Sequence, residues 1–365
     1  MLKIFILFFV LLVISAENDI RNDIFSDKLT NLSDIQNTEK TYIHMAMIIT
    51  IGKSRNVSQL ITKITRNLKE MLWSIFKSSR SKTPLHLIII TDKNTIPIIK
   101  ETIKNILGKF LSEKIIHQYL AGTLPKINVE FASLLSITDK YRDHIDQMKM
   151  LFGYHDPEEK FVITEDVVLV ENKKYTHDLF FIAPFYHREV PEMINRLVVL
   201  DIDLEFKIDV LELYKQFNQF GPSEMIGIAN DLSPHYFASS GDYRSRNPET
   251  LVGSPGRYQG FNSGVTLYNL NKMRNSPVYQ QEMQVERMKE LAVKYMFAGT
   301  VGDQDWLTLL GWERPEIFHL LPCHYNVQIH EGYKNTEFAQ YWNHYRNCSE
   351  PSHPDTKIIH KNGSW

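Results

Sequence analysis

The chain has 365 residues, 43% of them hydrophobic and 12% aromatic, with a formal net charge of −2. That is enough apolar material for one large core or two smaller ones. The near-balanced charge excludes a global field for nucleic acid or an anionic membrane, so an anionic ligand must be held locally, by a metal or a few basic side chains.

The first residues read as a targeting segment. Lys3 precedes an apolar run from Ile4 to Ile14, and Ser15-Ala16 form a candidate cleavage site. The run is shorter than the ~20 residues that span a bilayer comfortably, which favours a signal peptide over residues 1–16 above a short signal-anchor. Both readings place the rest of the chain in the lumen of the secretory pathway. Residues 17–42 are polar and lack periodicity, and are expected to be a flexible stalk before a single domain at 43–365. Sequons at Asn31, Asn56, Asn347 and Asn362 agree with a lumenal site. In such a compartment Cys323 and Cys348 are expected to form a disulfide. It would close a loop of about 25 residues and contribute about 3 kcal/mol in the chain-entropy model.

Along the domain, "HMAMIITIG" (44–52) is a continuous apolar run that predicts a buried strand ended by glycine. Leu60, Ile61, Ile64, Leu68, Met71, Leu72 and Ile75 form an apolar stripe opposite a Lys/Arg face, predicting a helix over 57–79. "PLHLIIITD" (84–92) predicts a second buried strand, and 94–110 a helix with Pro97 near its start. "KINVEFASL" (126–134) alternates and reads as a third strand. Strand, helix and strand at this spacing predict βαβ units, hence an α/β fold with a mostly parallel sheet flanked by helices. Residues 135–175 mix helix and strand signals. "KYTHDLFFIAPFYH" (174–187) predicts a buried helix. "NRLVVLDID" (195–203) predicts a strand whose carboxylates sit at its C-terminal end, where open α/β sheets place ligands. Further on come a strand at "VTLYNL" (265–270), a helix capped by Asp303 in "GTVGDQDWLTLLG" (299–311), and a short strand or turn at "PCHYNVQ" (322–328).

Period-two geometry puts Asp201, Asp203 and Glu205 on one side of an extended segment. Converging carboxylates repel unless a cation lies between them, which makes a hard divalent metal such as Mg²⁺ or Mn²⁺ the natural partner. A calcium loop would take Asp201, Asp203, Glu205 and Glu212, but Phe206 stands where its sharp turn needs glycine and a strand precedes it. A D-x-D-x-T phosphotransfer motif fails because Glu205 replaces the threonine. A polar strand end without function stays open. In "GRYQGFNSGVTLYNLNKMR" (256–274), Gly260 and Gly264 bracket Phe261-Asn262-Ser263. Glycines permit close backbone approach, and Asn and Ser can bond sugar hydroxyls; a simple turn is the alternative. Capping explains Asp303 but leaves Gln304 and Asp305 unexplained. His360 follows an apolar pair in "KIIHKNGSW" (357–365).

Five blocks occur in order and cover most of residues 180–363: "INRLVVLDIDLEFKIDVLELYKQF", "IGIANDLSPHYF", "NPETLVGSPGRYQGFNSGVTLYNLNKMRNSPVY", "GTVGDQDWLTLLGWERPEIFHLLPCHYNVQ" and "KIIHKNG". Together they resemble glycosyltransferase family 8, and within it the xyloside xylosyltransferase branch; a weaker likeness runs from His44 to Asp92. The resemblance implies a GT-A fold with one Rossmann-like sheet. It implies retaining transfer of xylose from UDP-α-xylose to a xylosyl-glucose O-glycan on EGF-like repeats, in α1,3 linkage, in the endoplasmic reticulum or Golgi. It implies that Asp201, Asp203 and His360 hold Mn²⁺ (or Mg²⁺) against the diphosphate. Ile49 and Thr50 would border the uracil pocket and Asp92 would close it. Ile202, Asn262, Ser263, Gly264 and Asn362 would complete the donor contacts, and Gln304 and Asp305 would line the reacting face. The family often ends H-G-x-x-K-P-W, whereas this chain ends His360-Lys361-Asn362-Gly363-Ser364-Trp365, which leaves the group on the β-phosphate open. The alternatives are a glucoside xylosyltransferase or another UDP-sugar transferase of the same fold, and an inactive lumenal glycan-binding protein.

Overall fold

Continuous apolar runs, with Val and Ile prominent, build the centre of a sheet covered on both faces. The computed structural model describes residues 25–36, 41–51, 57–110, 125–152, 177–297, 299–329, 348 and 350–361. The candidate signal at 1–16 and the sequons at Asn56, Asn347 and Asn362 lie outside them. The strands are β1 (Phe25–Thr30), β2 (Ile43–Ile49), β3 (Leu85–Thr91), β4 (Ile127–Ser133), β5 (Arg196–Leu200), β6 (Leu204–Phe206), β7 (Ile226–Asn230), β8 (Phe261–Asn269), β9 (Phe318–Leu320), β10 (Val327–Gln328) and β11 (Ile358–His360). Eight form one sheet in the order β1-β4-β3-β2-β5-β8-β7-β9; β10, β11 and β6 form a second, smaller one. Every pairing in the large sheet is parallel except those of β8, which is antiparallel to both β5 and β7.

The helices that matter for the site are α1 (Val57–Ser78), α2 (Ile96–Phe110), α3 (Arg142–Phe152), α4 (His235–Ser239), α5 (Leu270–Arg274), α6 (Val285–Lys294) and α7 (Asp303–Glu313). Alternation along the strands divides the core between the two faces. Met45, Met47, Leu87, Ile89, Val129 and Phe131 pack with Leu68, Met71 and Leu72 of α1 and Ile99 and Ile103 of α2. Ala46, Ile88, Ile90 and Ala132 belong to the other layer, with Met148 of α3, Leu291 of α6 and Trp306 and Leu310 of α7. Each buried Leu or Ile contributes about 1.5–3 kcal/mol, so these layers fix the sheet whose edge carries the polar residues.

Several expectations need correction. Residues 17–42 are not a stalk throughout: β1 pairs with β4, Leu29 opposite Phe131, and Leu32 and Ile35 are buried. An edge strand needs only one bonded side and few apolar groups, so its sequence resembled a linker. The described part of the segment expected as a helix over 174–187, residues 177–187, is not one helix. It breaks into two 3-10 turns, Asp178–Phe181 and Ala183–Phe185, and a helical turn from Tyr186 to Glu189. Pro184, near the start of the second turn, has no N–H to donate and so interrupts a helix that would run through it. The strand expected over 195–203 stops at Leu200, and the one expected over 265–270 begins at Phe261. No helix among the described residues is long and apolar enough to cross a membrane. Cys323 and Cys348 are joined, with Cα atoms 5.6 Å apart.

The segment that enters β5 is held by one side chain. The partly buried Arg274 guanidinium donates to the carbonyls of His187, Val190, Pro191, Glu192 and Ile194 at 2.7–3.2 Å. Its planar fork reaches acceptors that a lysine ammonium cannot satisfy together. Arg274→Ala should therefore lower unfolding stability by about 3 kcal/mol, and Arg274→Lys should recover less than half of that. Urea denaturation checks it, and an unchanged midpoint in either variant would contradict the account.

Candidate functional site

Two backbone hydrogen bonds assemble three distant segments where the two sheets meet. At the end of β5, Asp201 N donates to Gly264 O of β8 at 2.9 Å. The chain then bends through Ile202 and Asp203 and enters β6, where Leu204 lies opposite His360 of β11. Lys361 N donates to Asp203 O at 3.1 Å. The ligand atoms of Asp201, Asp203 and His360 thereby lie within 4.8 Å of one another. His360 Nε2 is 3.4 Å from Asp201 Oδ2 and 3.3 Å from Asp203 Oδ1. The Asp201 side chain is 57% exposed, whereas those of Asp203 and His360 are 13% and 4% exposed, so solvent reaches the cluster from the Asp201 side. The bend removes Glu205 from the group that period-two geometry had predicted. It forms an ion pair with Lys207 instead.

The far side of the imidazole is equally determined. His360 Nδ1 lies 3.1 Å from Asn262 Oδ1 and 3.1 Å from Asn326 Oδ1. Two facing acceptors keep a proton on Nδ1, so Nε2 is the nitrogen directed at the carboxylates and the one that would serve an ion. Gly264 makes room for the ring: a Cβ there would fall 2.2 Å from His360 Cε1. Two carboxylates and one imidazole are a donor set for a divalent ion, with further positions left for ligand oxygens. Burial alone would lower the His360 pKa, but the Asp201 and Asp203 carboxylates outweigh it and raise the imidazole to about 9.

Beside this cluster, Gln304 is fixed from both ends. Its Oε1 accepts from Ser263 N at 2.9 Å and from the Ser263 hydroxyl at 3.3 Å, and its Nε2 donates to the Tyr236 hydroxyl at 3.1 Å. Tyr236 in turn donates to Asp305 Oδ1 at 3.0 Å. Asp305 is fully buried, and its other oxygen accepts from Thr300 N and Val301 N at 2.6 and 2.7 Å. Burial raises its carboxyl to about 6 against those bonds and the nearby His235. Asp303 is not the cap expected from the sequence. Gly302, with φ of +77°, holds that position, and Asp303 is the first helical residue, accepting from Ala183 N at 3.2 Å. Only a residue without Cβ fits at 302, because a Cβ would meet Phe180 O at 2.7 Å.

A second group sits at the carboxyl ends of β2 and β3. Asp92 accepts from the Thr50 hydroxyl, from the Thr95 hydroxyl at 2.6 Å, and from Asn94 N at 2.8 Å. Burial opposes ionisation here, but those donors prevail and hold the carboxyl below its usual range. Ile49 is buried and Ile202 packs against the same apolar layer. Asn362 lies outside the described residues. Two residues in the site went unassigned from the sequence. Asn326 follows the 3-10 turn Cys323–Tyr325, and Tyr236 lies on α4. The alternating amides of "NVQ", Asn326 and Gln328, were the available signal, since both are fully buried; Tyr236 had none beyond its place in "SPHYF".

No protein-family model matches the chain. Xyloside xylosyltransferase 1 of Mus musculus is 38% identical over 190 residues, 52% of this chain and 47% of the relative. The Homo sapiens protein of that name is 37% identical over the same length and shares. This chain thus spans about half the length of the curated relatives it matches. The crystal structure of mouse Xyloside xylosyltransferase 1 in its apo form superposes with a TM-score of 0.70 at 28% identity, covering 88% of this chain and 98% of that one. The chain is homologous to these proteins and has the GT-A glycosyltransferase fold.

Gly264→Ala should displace the His360 ring and weaken divalent-metal binding at least about tenfold, read by isothermal titration calorimetry. Wild-type affinity in this variant would contradict the steric account. The raised His360 pKa also sets a pH dependence. A histidine raised from 6.5 to about 9 contributes stability that is full below the lower value and lost as pH rises through the higher one. An ion that takes Nε2 must displace that proton. Metal binding at pH 7 should release close to one proton, measured as the dependence of binding heat on buffer ionisation enthalpy, and should tighten about tenfold per pH unit between the two values.

Proposed function

We propose that this homologue of xyloside xylosyltransferase 1 is a retaining, metal-dependent xylosyltransferase. It moves xylose from UDP-α-xylose to the xylose of a xylosyl-glucose glycan in α1,3 linkage. The observation that carries the reading is the convergence of Asp201, Asp203 and His360 at the carboxyl edge of a mostly parallel sheet. The residues fit a divalent ion, and we infer Mn²⁺; when bound it would offset the negative charge of the departing diphosphate. The uracil pocket is assigned to Ile49, Thr50 and Asp92, whose hydrogen bonds already hold the β2 and β3 ends together. Asn262 has its oxygen turned to His360, which leaves the Ser263 hydroxyl and the Gly264 backbone as sugar contacts from that segment. The acceptor glycan would sit on EGF-like repeats in the endoplasmic reticulum; the disulfide and the N-terminal apolar run support a lumenal site in the secretory pathway.

Retention of configuration requires either two displacements or attack from the leaving-group face. Asp305 is unsuited to the first route, because it is fully buried with both oxygens accepting hydrogen bonds. The favoured route is front-face attack, with the diphosphate oxygen taking the acceptor proton. Gln304 orients the sugar there, since its own rotamer is locked by Ser263 and Tyr236.

The test is turnover of UDP-xylose, UDP-glucose and UDP-galactose on a synthetic xylosyl-glucose acceptor, with and without EDTA, and the product anomer assigned by NMR. UDP-xylose should be preferred, the product should be α1,3, and EDTA should abolish turnover. Asp203→Asn should lose about 10²–10³-fold in kcat/KM. Metal-independent turnover, or turnover with none of the three donors, would sink the reading.

A further inference from the structure

We propose that Asn326 is a positioning residue for metal binding: its side-chain amide fixes the His360 ring so that Nε2 is aimed at the ion before the ion arrives. The proposal rests on the metal-site reading of Asp201, Asp203 and His360 and adds to it a residue that contacts none of the reacting groups. Asn326 is fully buried. Its Oδ1 lies 3.1 Å from His360 Nδ1, and its Nδ2 donates to Asn262 Oδ1 at 2.9 Å and Asn262 O at 3.3 Å. Asn262 Oδ1 also accepts from Gly264 N at 3.2 Å. The two amides form a clamp in which both oxygens face one ring nitrogen, and Asn326 sets the orientation of the other member.

Geometry explains why an amide serves here. A hydroxyl is too short to span from the 3-10 turn to the ring while also bonding Asn262. The backbone of Asn326 is itself anchored, with its N–H donating to Cys323 O at 2.9 Å. The next residue but one, Gln328, pairs with His360 across β10 and β11. The side chain that holds the ring and the strand that pairs with β11 therefore come from one short segment. Without the clamp the imidazole can flip and can give up its proton from either nitrogen, and only one combination offers Nε2 to an ion between the carboxylates.

The experiment measures Mn²⁺ binding to full-length protein by the loss of the free aqua-ion EPR signal, with no substrate present. Melting of the metal-free protein monitors the fold. Asn326→Ala should weaken Mn²⁺ binding about 10–100-fold, and Asn326→Asp should recover part of that loss, because a carboxylate oxygen still accepts from Nδ1–H although the donor to Asn262 is gone. A residue that mattered only for folding would give the reverse order, since the aspartate places a charge in a buried site. Wild-type Mn²⁺ affinity in Asn326→Ala, or an Asn326→Asp protein as weak as Asn326→Ala, overturns the proposal. His360→Ala separates the two levels. If it loses Mn²⁺ while Asn326→Ala does not, only the positioning role fails; if it binds Mn²⁺ like wild type, the metal site itself is misassigned.

Discussion

The site depends on how the chain leaves β5. At Leu200 the large sheet ends, and within three residues the backbone has entered a different sheet. Two peptide hydrogen bonds define that crossing, Asp201 N to Gly264 O and Lys361 N to Asp203 O. Each joins a carboxylate-bearing residue to a segment far away in sequence. An extended chain would have placed Asp201, Asp203 and Glu205 in a row. The bend instead turns two of them toward His360 and releases the third to the surface, where it pairs with Lys207. Register is strict in such a junction, because a slip of one residue would face β11 with the wrong side of His360.

Electrostatics then act on a geometry that is already set. Two carboxylates beside one imidazole are compensated by the proton on Nε2, and the same lone pair would serve a divalent ion. Behind this cluster the logic differs. Asp305 is surrounded by donors from Thr300, Val301 and Tyr236, so its charge organises a loop and a tyrosine instead of meeting solvent. Tyr236 passes that order to Gln304, and Gln304 to Ser263. The polar residues of the "FNSG" and "GDQD" segments thus divide into those turned inward, Asn262 and Asp305, and those partly exposed at the site, Ser263 and Gln304.

Much of this was legible in the sequence. Buried strands announce themselves by unbroken apolar runs, as at 44–52 and 84–92, and the helical stripe over 57–79 matches α1 within a residue. The carboxylate pair and the C-terminal histidine were recognisable from the ordered blocks. What stayed hidden shares a physical cause. β1 lies at a sheet edge, and β6 and β11 have three residues each, too few for a periodicity to show. Asn326 was marked only by the alternating amides of "NVQ"; its role exists only once β10 lies beside β11. The Pro184 break was visible but was outweighed by the apolar content around it.

The small sheet raises a question of persistence. β10 has two residues, and β6 and β11 have three each, too few to hold together in isolation. Their order must come from outside the ladder. The buried side chains Phe206 and Ile358 tie β6 and β11 into the layer under α1, and Ser74 Oγ of α1 accepts from Phe206 N at 2.9 Å. On the other side, the Cys323–Cys348 bond closes the stretch between the turn before β10 and the approach to β11. Gln328 carries the connection back to the large sheet, accepting from Leu232 N at 2.9 Å and donating to Asn230 O at 2.8 Å. His360 is therefore held by the core of the domain through three independent routes. That explains how a histidine at the last residue of a three-residue strand can be held beside the carboxylates that follow a central one.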